Sequence, residues 1–164
     1  WNIPDNNKNY KNKKEYIKSN NKFNKIKKSL NLDIIGYNNS EWELPKGKKN
    51  KNESNKDAAC RELEEETNIK SEDYILLQNL VPLTEKFVGE NNIVYTNIYY
   101  FGICLNDSNI FLNKENKEQI NEIKDVKFFS KEEAIEKIRD YNLSKIDIIK
   151  NTFDFIDNTN FEIK

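Results

Sequence analysis

Residues 47–69 read GKKNKNESNKDAACRELEEETNI, and the reading of this stretch decides the fold. Ser54 followed three places later by Asp57 is an N-cap pattern of the capping-box type. From Asn55 to Thr67 the residues are good helix formers, with no Pro and no Gly. The pattern predicts a helix over 54–67 in which Ala59 and Leu63, four apart, can face a core. Glu62 and Glu66 are four apart and Glu62 and Glu65 three apart, so three carboxylates occupy neighbouring positions of one face. Like charges so placed repel one another and call for a counter-charge. Carboxylate oxygens are hard ligands, which points to Mg²⁺ or Mn²⁺ rather than Zn²⁺. The plain alternative is a solvated acidic helix face, the usual meaning of an isolated Glu cluster.

The spacings around the cluster argue against that alternative. The stretch resembles the Nudix box: Gly, five residues, Glu, seven residues, then Arg-Glu-aliphatic-x-Glu-Glu-x-Gly-aliphatic. Those places are held by Gly47, Glu53, Arg61, Glu62, Leu63, Glu65, Glu66, Asn68 and Ile69. One place departs, since Asn68 stands where the family has Gly. The family Gly ends the helix in a left-handed conformation, and Asn is the next most tolerated residue there. The resemblance implies a Mg²⁺- or Mn²⁺-dependent hydrolase of phosphoanhydrides. It makes Glu62, Glu65, Glu66 and the Gly47 carbonyl the expected metal ligands, with Glu65 and Glu66 at the chemistry.

The residues before the box narrow the resemblance. Trp42-Glu43-Leu44-Pro45-Lys46-Gly47-Lys48 alternates as a short strand and then turns at Pro-Lys-Gly. Gly47 can take a backbone conformation that lets a carbonyl approach a metal. Pro-Lys-Gly in this place is similar to the mRNA-decapping Nudix enzymes, above all those of poxviruses and other large DNA viruses. Thr84-Glu85-Lys86-Phe87-Val88-Gly89, followed by Asn97-Ile98-Tyr99-Tyr100-Phe101, also looks like that group. Diadenosine polyphosphate hydrolases share Pro-Lys-Gly, and a related viral branch acts on diphosphoinositol polyphosphates.

Composition sets the frame. The chain of 164 residues is long enough for one domain with a real core. Hydrophobic content is 36%, with nine Phe and eight Tyr to fill an interior, and the mean hydropathy is −0.94. No apolar run reaches the length of a membrane helix and no secretory signal is visible, so a cytoplasmic protein is expected, in a host cell if viral. Cys60 and Cys104 are expected as buried thiols in a reducing compartment. The chain has no His, which excludes a His-based triad, a His general base and the common zinc sites. It has no Met, so Trp1 is not a translation start and the chain is expected to be a fragment or a processed product.

Charge is unevenly spread. Residues 1–56 carry 14 Lys and six acids, a net +8, and the remainder is net −9. A basic rim beside an acidic metal cluster suits a polyanionic substrate. Against this, the Lys- and Asn-rich composition is what an A- and T-rich genome would give, and residues 11–28 then form only a solvated helix.

Along the chain, residues 10–30 are expected as a helix, 33–37 and 41–45 as short strands, and 74–88 and 93–105 as long strands. Pro82 interrupts the first long strand as a bulge or edge position. Residues 106–121 read as a polar loop with a short strand at 110–112, and 123–129 as a strand. Ser130, with Glu133 three places on, caps a helix from Lys131. Ile146, Ile149, Phe153 and Ile156 mark a last helix over 143–157. The resulting class is α/β, and the resemblance implies an α/β/α sandwich with a mixed sheet. We expect a basic helical extension over 1–32, a Nudix-type domain over 33–158 and a tail over 159–164.

Further roles follow from the resemblance. Nudix hydrolases often take another carboxylate from a segment opposite the box helix, and in decapping enzymes it precedes a strand ending in an aromatic-Phe pair. Glu122, before Ile123–Phe129, fits this as general base or further ligand, with Glu118 in reserve and a solvated loop acid as the plain alternative. Arg61 has no lone pair to give a metal, so it is expected to pair with Glu53 and orient the carboxylates. Lys46 and Lys48 are expected to contact phosphate oxygens. Trp42, Phe87, Tyr95 and Tyr99 are available to stack on a methylated guanine, although each also reads as a core residue. The leading reading is decapping with release of methylated guanosine diphosphate, with capped RNA as partner. The alternatives are hydrolysis of diphosphoinositol or dinucleoside polyphosphates, and an inactive Nudix-like module that binds nucleotide or RNA.

Overall fold

Three helices begin where a short polar side chain takes up backbone N–H groups that would otherwise lack partners. The computed structural model describes residues 10–27, 29, 37, 39–89, 91–105 and 110–159. The chain divides into two units, Trp1–Ser40 and Glu41–Lys164. The first contains helix α1, Tyr10–Ile26. Its last turn is closed by Ser29, whose N–H and hydroxyl both donate to Ile26 O. The expected strand at 33–37 lies outside the described residues except for Tyr37.

The second unit begins with the box helix, α2, Asn55–Thr67. Ser54 Oγ accepts from Asp57 N at 3.0 Å, and its hydroxyl donates to Asp57 Oδ2 at 2.7 Å. At the far end Asn68 is left-handed, φ 63°, and its N–H closes on Glu64 O. Ala58 and Thr67 are the residues of α2 that are buried, with Ile69 just beyond. Ala59 and Leu63 face an apolar cavity of about 330 Å³, shared with Leu44, Tyr74, Ile98 and Phe128.

The two long strands expected from the sequence are each broken in two. Strand β1 is Tyr74–Leu76, β2 Leu83–Val88, β3 Val94–Tyr99 and β4 Gly102–Cys104. The first break follows from turn hydrogen bonds, Gln78 N to Leu76 O and Leu80 N to Leu77 O, and from Pro82, which has no N–H for a ladder. Pro82 thus lies in the connection between β1 and β2 rather than within a strand. The second break, at Tyr100–Phe101, is where the chain changes partner. β3 pairs antiparallel with β2, Leu83 opposite Tyr99, whereas β4 pairs antiparallel with β1, Tyr74 opposite Cys104. Gly102 lets the Tyr74 ring lie against the backbone, since a Cβ there would stand 3.3 Å from Tyr74 Cδ2.

Residues 41–45, 110–112 and 123–129 form no strand. The first and last of these segments meet through rings instead of a ladder, Trp42 standing edge-on to Phe129 at 4.9 Å. The expected polar loop ends in a short helix, α3, Lys117–Glu122, capped by Asn116. Helix α4, Lys131–Lys137, starts with the full capping box of Ser130 and Glu133. Helix α5, Leu143–Asp157, buries Lys145, Ile148 and Ile149. That face is rotated from the expected Ile146–Ile149–Phe153–Ile156 stripe, and Ile156 is exposed. The rotation has a cause in charge, because Lys145 finds a carboxylate partner inside. Cys60 and Cys104 are both free thiols, partly buried. Among the described residues no helix is long and apolar enough to cross a membrane.

Candidate active site

Arg61 is the hub of the box. Its Nε donates to Glu53 Oε1 at 2.8 Å and its Nη2 to Glu53 Oε2 at 3.1 Å, a two-pronged grip. Nη1 donates to Glu62 Oε1 at 2.7 Å and to Glu65 Oε2 at 2.8 Å. Nη2 also reaches the Lys48 carbonyl at 3.1 Å. The guanidinium is therefore the counter-charge that the repelling carboxylates of α2 require. Glu53 is fixed from a second side by Asn50 N at 2.9 Å. The Arg61 hydrogen bonds, followed by the Asn50 N–H, hold the Glu53 carboxyl at about 2, well below its ordinary value.

Glu66 has a different environment. It is drawn into the protein, and burial raises its carboxyl above the ordinary range. The backbone N–H of Lys46 donates to Glu66 Oε2 at 3.0 Å and opposes that rise. The negative charges of Glu62 and Glu122 add to it, which brings Glu122 into the electrostatic field of the box. Glu122 is exposed at the end of α3, not before a strand as expected, and Glu118 is exposed one turn earlier.

A residue that the sequence reading missed joins α3 to α2. Gln119 is 3% exposed. Its Nε2 donates to Glu66 O at 3.0 Å, and its Oε1 accepts from Asn113 N at 2.7 Å and Asn68 Nδ2 at 3.1 Å. Asn68 Nδ2 also donates to Phe111 O at 2.6 Å. The Asn in place of Gly thus adds two long-range hydrogen bonds to its left-handed backbone. The Asn116-x-x-Gln119 spacing has the form of a capping box and was the available signal.

Gly47 owes its place to space rather than to backbone freedom. No glycine among the described residues has a positive φ. A Cβ on Gly47 would stand 1.9 Å from Glu62 Cδ. The Lys46 side chain is about half exposed, and its Nζ lies 3.7 Å from Glu43 Oε2. Lys48 is exposed. Of the aromatic candidates, Trp42 packs on Phe129 with Lys127 Nζ 5.9 Å from its ring, and Phe87 stacks on Tyr95 at 5.5 Å.

Tyr99 belongs to a second polar cluster, centred on Glu85. Its hydroxyl donates to Glu85 Oε2 at 2.7 Å, Asn97 Nδ2 donates to the same oxygen at 2.9 Å, and Ser144 Oγ donates to Glu85 Oε1 at 2.5 Å. Burial alone would raise the Glu85 carboxyl, but these donors and the nearby Lys145 charge outweigh it and leave it lowered. Burial and the Glu85 charge together raise the Tyr99 phenol. Lys145 in turn holds both oxygens of Glu43.

The donor set suits a hard divalent cation, being carboxylate and backbone carbonyl oxygen. Glu62 and Glu65 each engage Arg61 through one oxygen, which leaves a second oxygen on each. Among the described residues, no three acidic or thiol side chains converge as they stand into a ready-made cage. The residues therefore fit such an ion by chemistry, while Arg61 holds two of the carboxylates.

Comparisons with known proteins give the chain its family. The NUDIX domain family matches residues 29–151, and the chain belongs to that family. A protein of Acanthamoeba polyphaga mimivirus with a provisional mRNA-decapping name is 39% identical over 121 residues, 73% of this chain and 33% of that protein. The mRNA-decapping protein g5R of African swine fever virus (isolate Pig/Kenya/KEN-50/1950) is 35% identical over 122 residues, 71% of this chain and 48% of that protein. The matched part of the chain spans less than half the length of these relatives. A crystal structure of a C. elegans Ap4A hydrolase binary complex aligns with a TM-score of 0.56 at 21% identity, over 75% of this chain and 83% of that one. That likeness shows the fold, an α/β fold of the Nudix type. Nudix hydrolases generally need divalent metal ions.

Proposed function

We propose that this chain is a Mg²⁺- or Mn²⁺-dependent pyrophosphohydrolase that removes the methylated cap of mRNA and releases methylated guanosine diphosphate. The observation that carries the reading is the Arg61 hub, which gathers Glu53, Glu62 and Glu65 beside a half-buried Glu66. Its support in substrate is the decapping name of the viral relatives.

In this reading Glu62, Glu65, Glu66 and the Gly47 carbonyl would hold the ion, which would supply charge neutralisation on the diphosphate and lower the pKa of a bound water. Arg61, fixed by Glu53, aims the carboxylates. Glu122 takes the proton of the attacking water, with Glu118 as the reserve. The water oxygen bonds to phosphorus, the P–O anhydride bond breaks, and the electron pair leaves on the departing phosphate. Lys46 and Lys48 balance charge on the phosphate oxygens. We assign a basic extension to residues 1–32, the hydrolase to 33–158 and a tail to 159–164, with the Lys-rich stretch 8–28 tracking the phosphate backbone of the transcript. A viral enzyme of this kind would act in the host cytoplasm.

The test is a parallel assay with capped RNA, free cap dinucleotide, a dinucleoside tetraphosphate and a diphosphoinositol polyphosphate. Capped RNA should be cut faster than free cap, and the advantage should fall steeply with salt. Neutralising Lys11, Lys13, Lys14, Lys18, Lys22 and Lys25 together should remove that advantage and spare the small substrates. Preference for either small polyphosphate would instead favour the alternative, for which the Ap4A hydrolase likeness supports the fold alone.

A further inference from the structure

The Pro-Lys-Gly segment carries a competition for one lysine. Glu43 lies three residues before Lys46, and Lys46 Nζ stands 3.7 Å from Glu43 Oε2. An exposed i, i+3 pair of this kind would normally close and occupy the lysine. Here the pair is loose, within ion-pair range but beyond hydrogen-bonding distance, because the carboxylate is shared. Lys145, only 4% exposed, comes in from α5 and binds both oxygens of Glu43. Other side chains hold the same region. Tyr141 OH donates to Glu41 Oε1 at 3.0 Å, and Trp42 stands edge-on to Phe129. The segment 41–47 has no sheet ladder of its own, so these side chains hold it.

We infer that Lys145 is a positioning residue: by sharing Glu43 it keeps the Lys46–Glu43 pair loose, so that a substrate phosphate can draw the Lys46 ammonium away. The inference rests on the proposed function, in which Lys46 contacts the phosphate chain. Lys145 itself touches no substrate. Its ammonium is buried and already neutralised, so its effect is transmitted through Glu43. Without it, Glu43 would turn to the nearest remaining cation, Lys46, and a phosphate would have to break that pair in order to bind. The loss would appear in binding and not in the chemical step, because Glu66 and the Arg61 hub are left in place. It would also be reversible by removing the competing carboxylate.

The test uses the full chain with a cap dinucleotide and saturating Mg²⁺. Lys145→Met should raise KM about tenfold and leave kcat within twofold. Adding Glu43→Gln to Lys145→Met should return KM to within twofold of the parent, and Lys145→Arg should keep the parent KM. An unchanged KM in Lys145→Met overturns the inference, as does a double variant no better than the single one. If Lys145→Met does not fold, Lys145→Gln decides, since it removes the charge but keeps a hydrogen-bond donor for Glu43: a raised KM that Glu43→Gln reverses supports the inference, and a parent KM overturns it. The two readings fail separately: a parent protein that cleaves no polyphosphate sinks the proposed function, whereas an active parent with indifferent Lys145 variants sinks only the role of Lys145.

Discussion

The Glu62 carboxylate fills the space that any side chain on Gly47 would need, 1.9 Å from where its Cβ would stand. Two parts of the box 15 residues apart are thus packed backbone against carboxylate. Gly47→Ala has no positive φ to strain, so the cost falls on the position of Glu62. A misplacement of about 1 Å in a catalytic constellation costs on the order of 100-fold in rate. We expect that loss in kcat with little change in thermal midpoint, measured by steady-state kinetics beside a melting curve.

Arg61 acts by shape as much as by charge. It engages Glu53, Glu62, Glu65 and the Lys48 carbonyl at once. A lysine ammonium cannot span that fork. Arg61→Lys should lower activity roughly 10- to 100-fold, the range for residues that orient metal ligands. The Mg²⁺ concentration for half-maximal activity should rise as well. Parent-like metal dependence in Arg61→Lys would contradict an orienting role.

Glu53 predicts an acid weakness. Its carboxyl is held at about 2 by the Arg61 hydrogen bonds, from an ordinary value of 4.5. A folded-state value below the unfolded one adds stability above about pH 4.5, and that stability is lost as pH falls toward 2. In urea unfolding, the parent should exceed Glu53→Gln by more at pH 6 than at pH 3. Equal gaps at both pH values would show that the pair contributes no pH-dependent stability.

Gln119 and Asn68 predict a stability effect away from the chemistry. Gln119→Leu leaves Glu66 O, Asn113 N and Asn68 Nδ2 each short of a partner around a buried site. We expect a loss of about 2–3 kcal/mol in denaturant unfolding, in the range for unsatisfied buried polar groups. Asn68→Gly restores the family residue but removes the hydrogen bonds to Phe111 and Gln119. It should therefore not stabilise the protein, and a gain in midpoint would count against this view of Asn68.

What the sequence made legible was local. Ser54, Ser130 and Asn68 mark helix ends because capping and left-handed closure involve neighbours within four residues. The Arg61–Glu53 pair could be anticipated only through the resemblance to the Nudix box together with the opposite charges. Asn116 offered the same capping signal, but α3 has only six residues and no apolar periodicity to support it. Gln119 reaches Glu66 across 53 residues, and Lys145 reaches Glu43 across 102, which no local pattern reports. The strand break at 77–82 comes from turn hydrogen bonds and Pro82, and that at 100–101 from exchange of pairing partners, although β-branched and aromatic residues run on through both. The face of α5 was misjudged for the same reason: a buried lysine with a distant carboxylate looks like a solvent-facing one.

The most direct test of the central claim is cleavage of cap-labelled RNA by the parent and by Glu66→Gln, with and without Mg²⁺. Burial raises the Glu66 carboxyl, so its charge opposes folding above the ordinary carboxylate range, and Gln can still accept from Lys46 N. Glu66→Gln should accordingly be at least as stable as the parent at pH 7 in chelator, yet release methylated guanosine diphosphate at least 100-fold more slowly in Mg²⁺, as expected when a metal-ion clamp is impaired. The parent should release none in chelator. Full release by the folded variant, or by the parent without a divalent ion, would contradict the account.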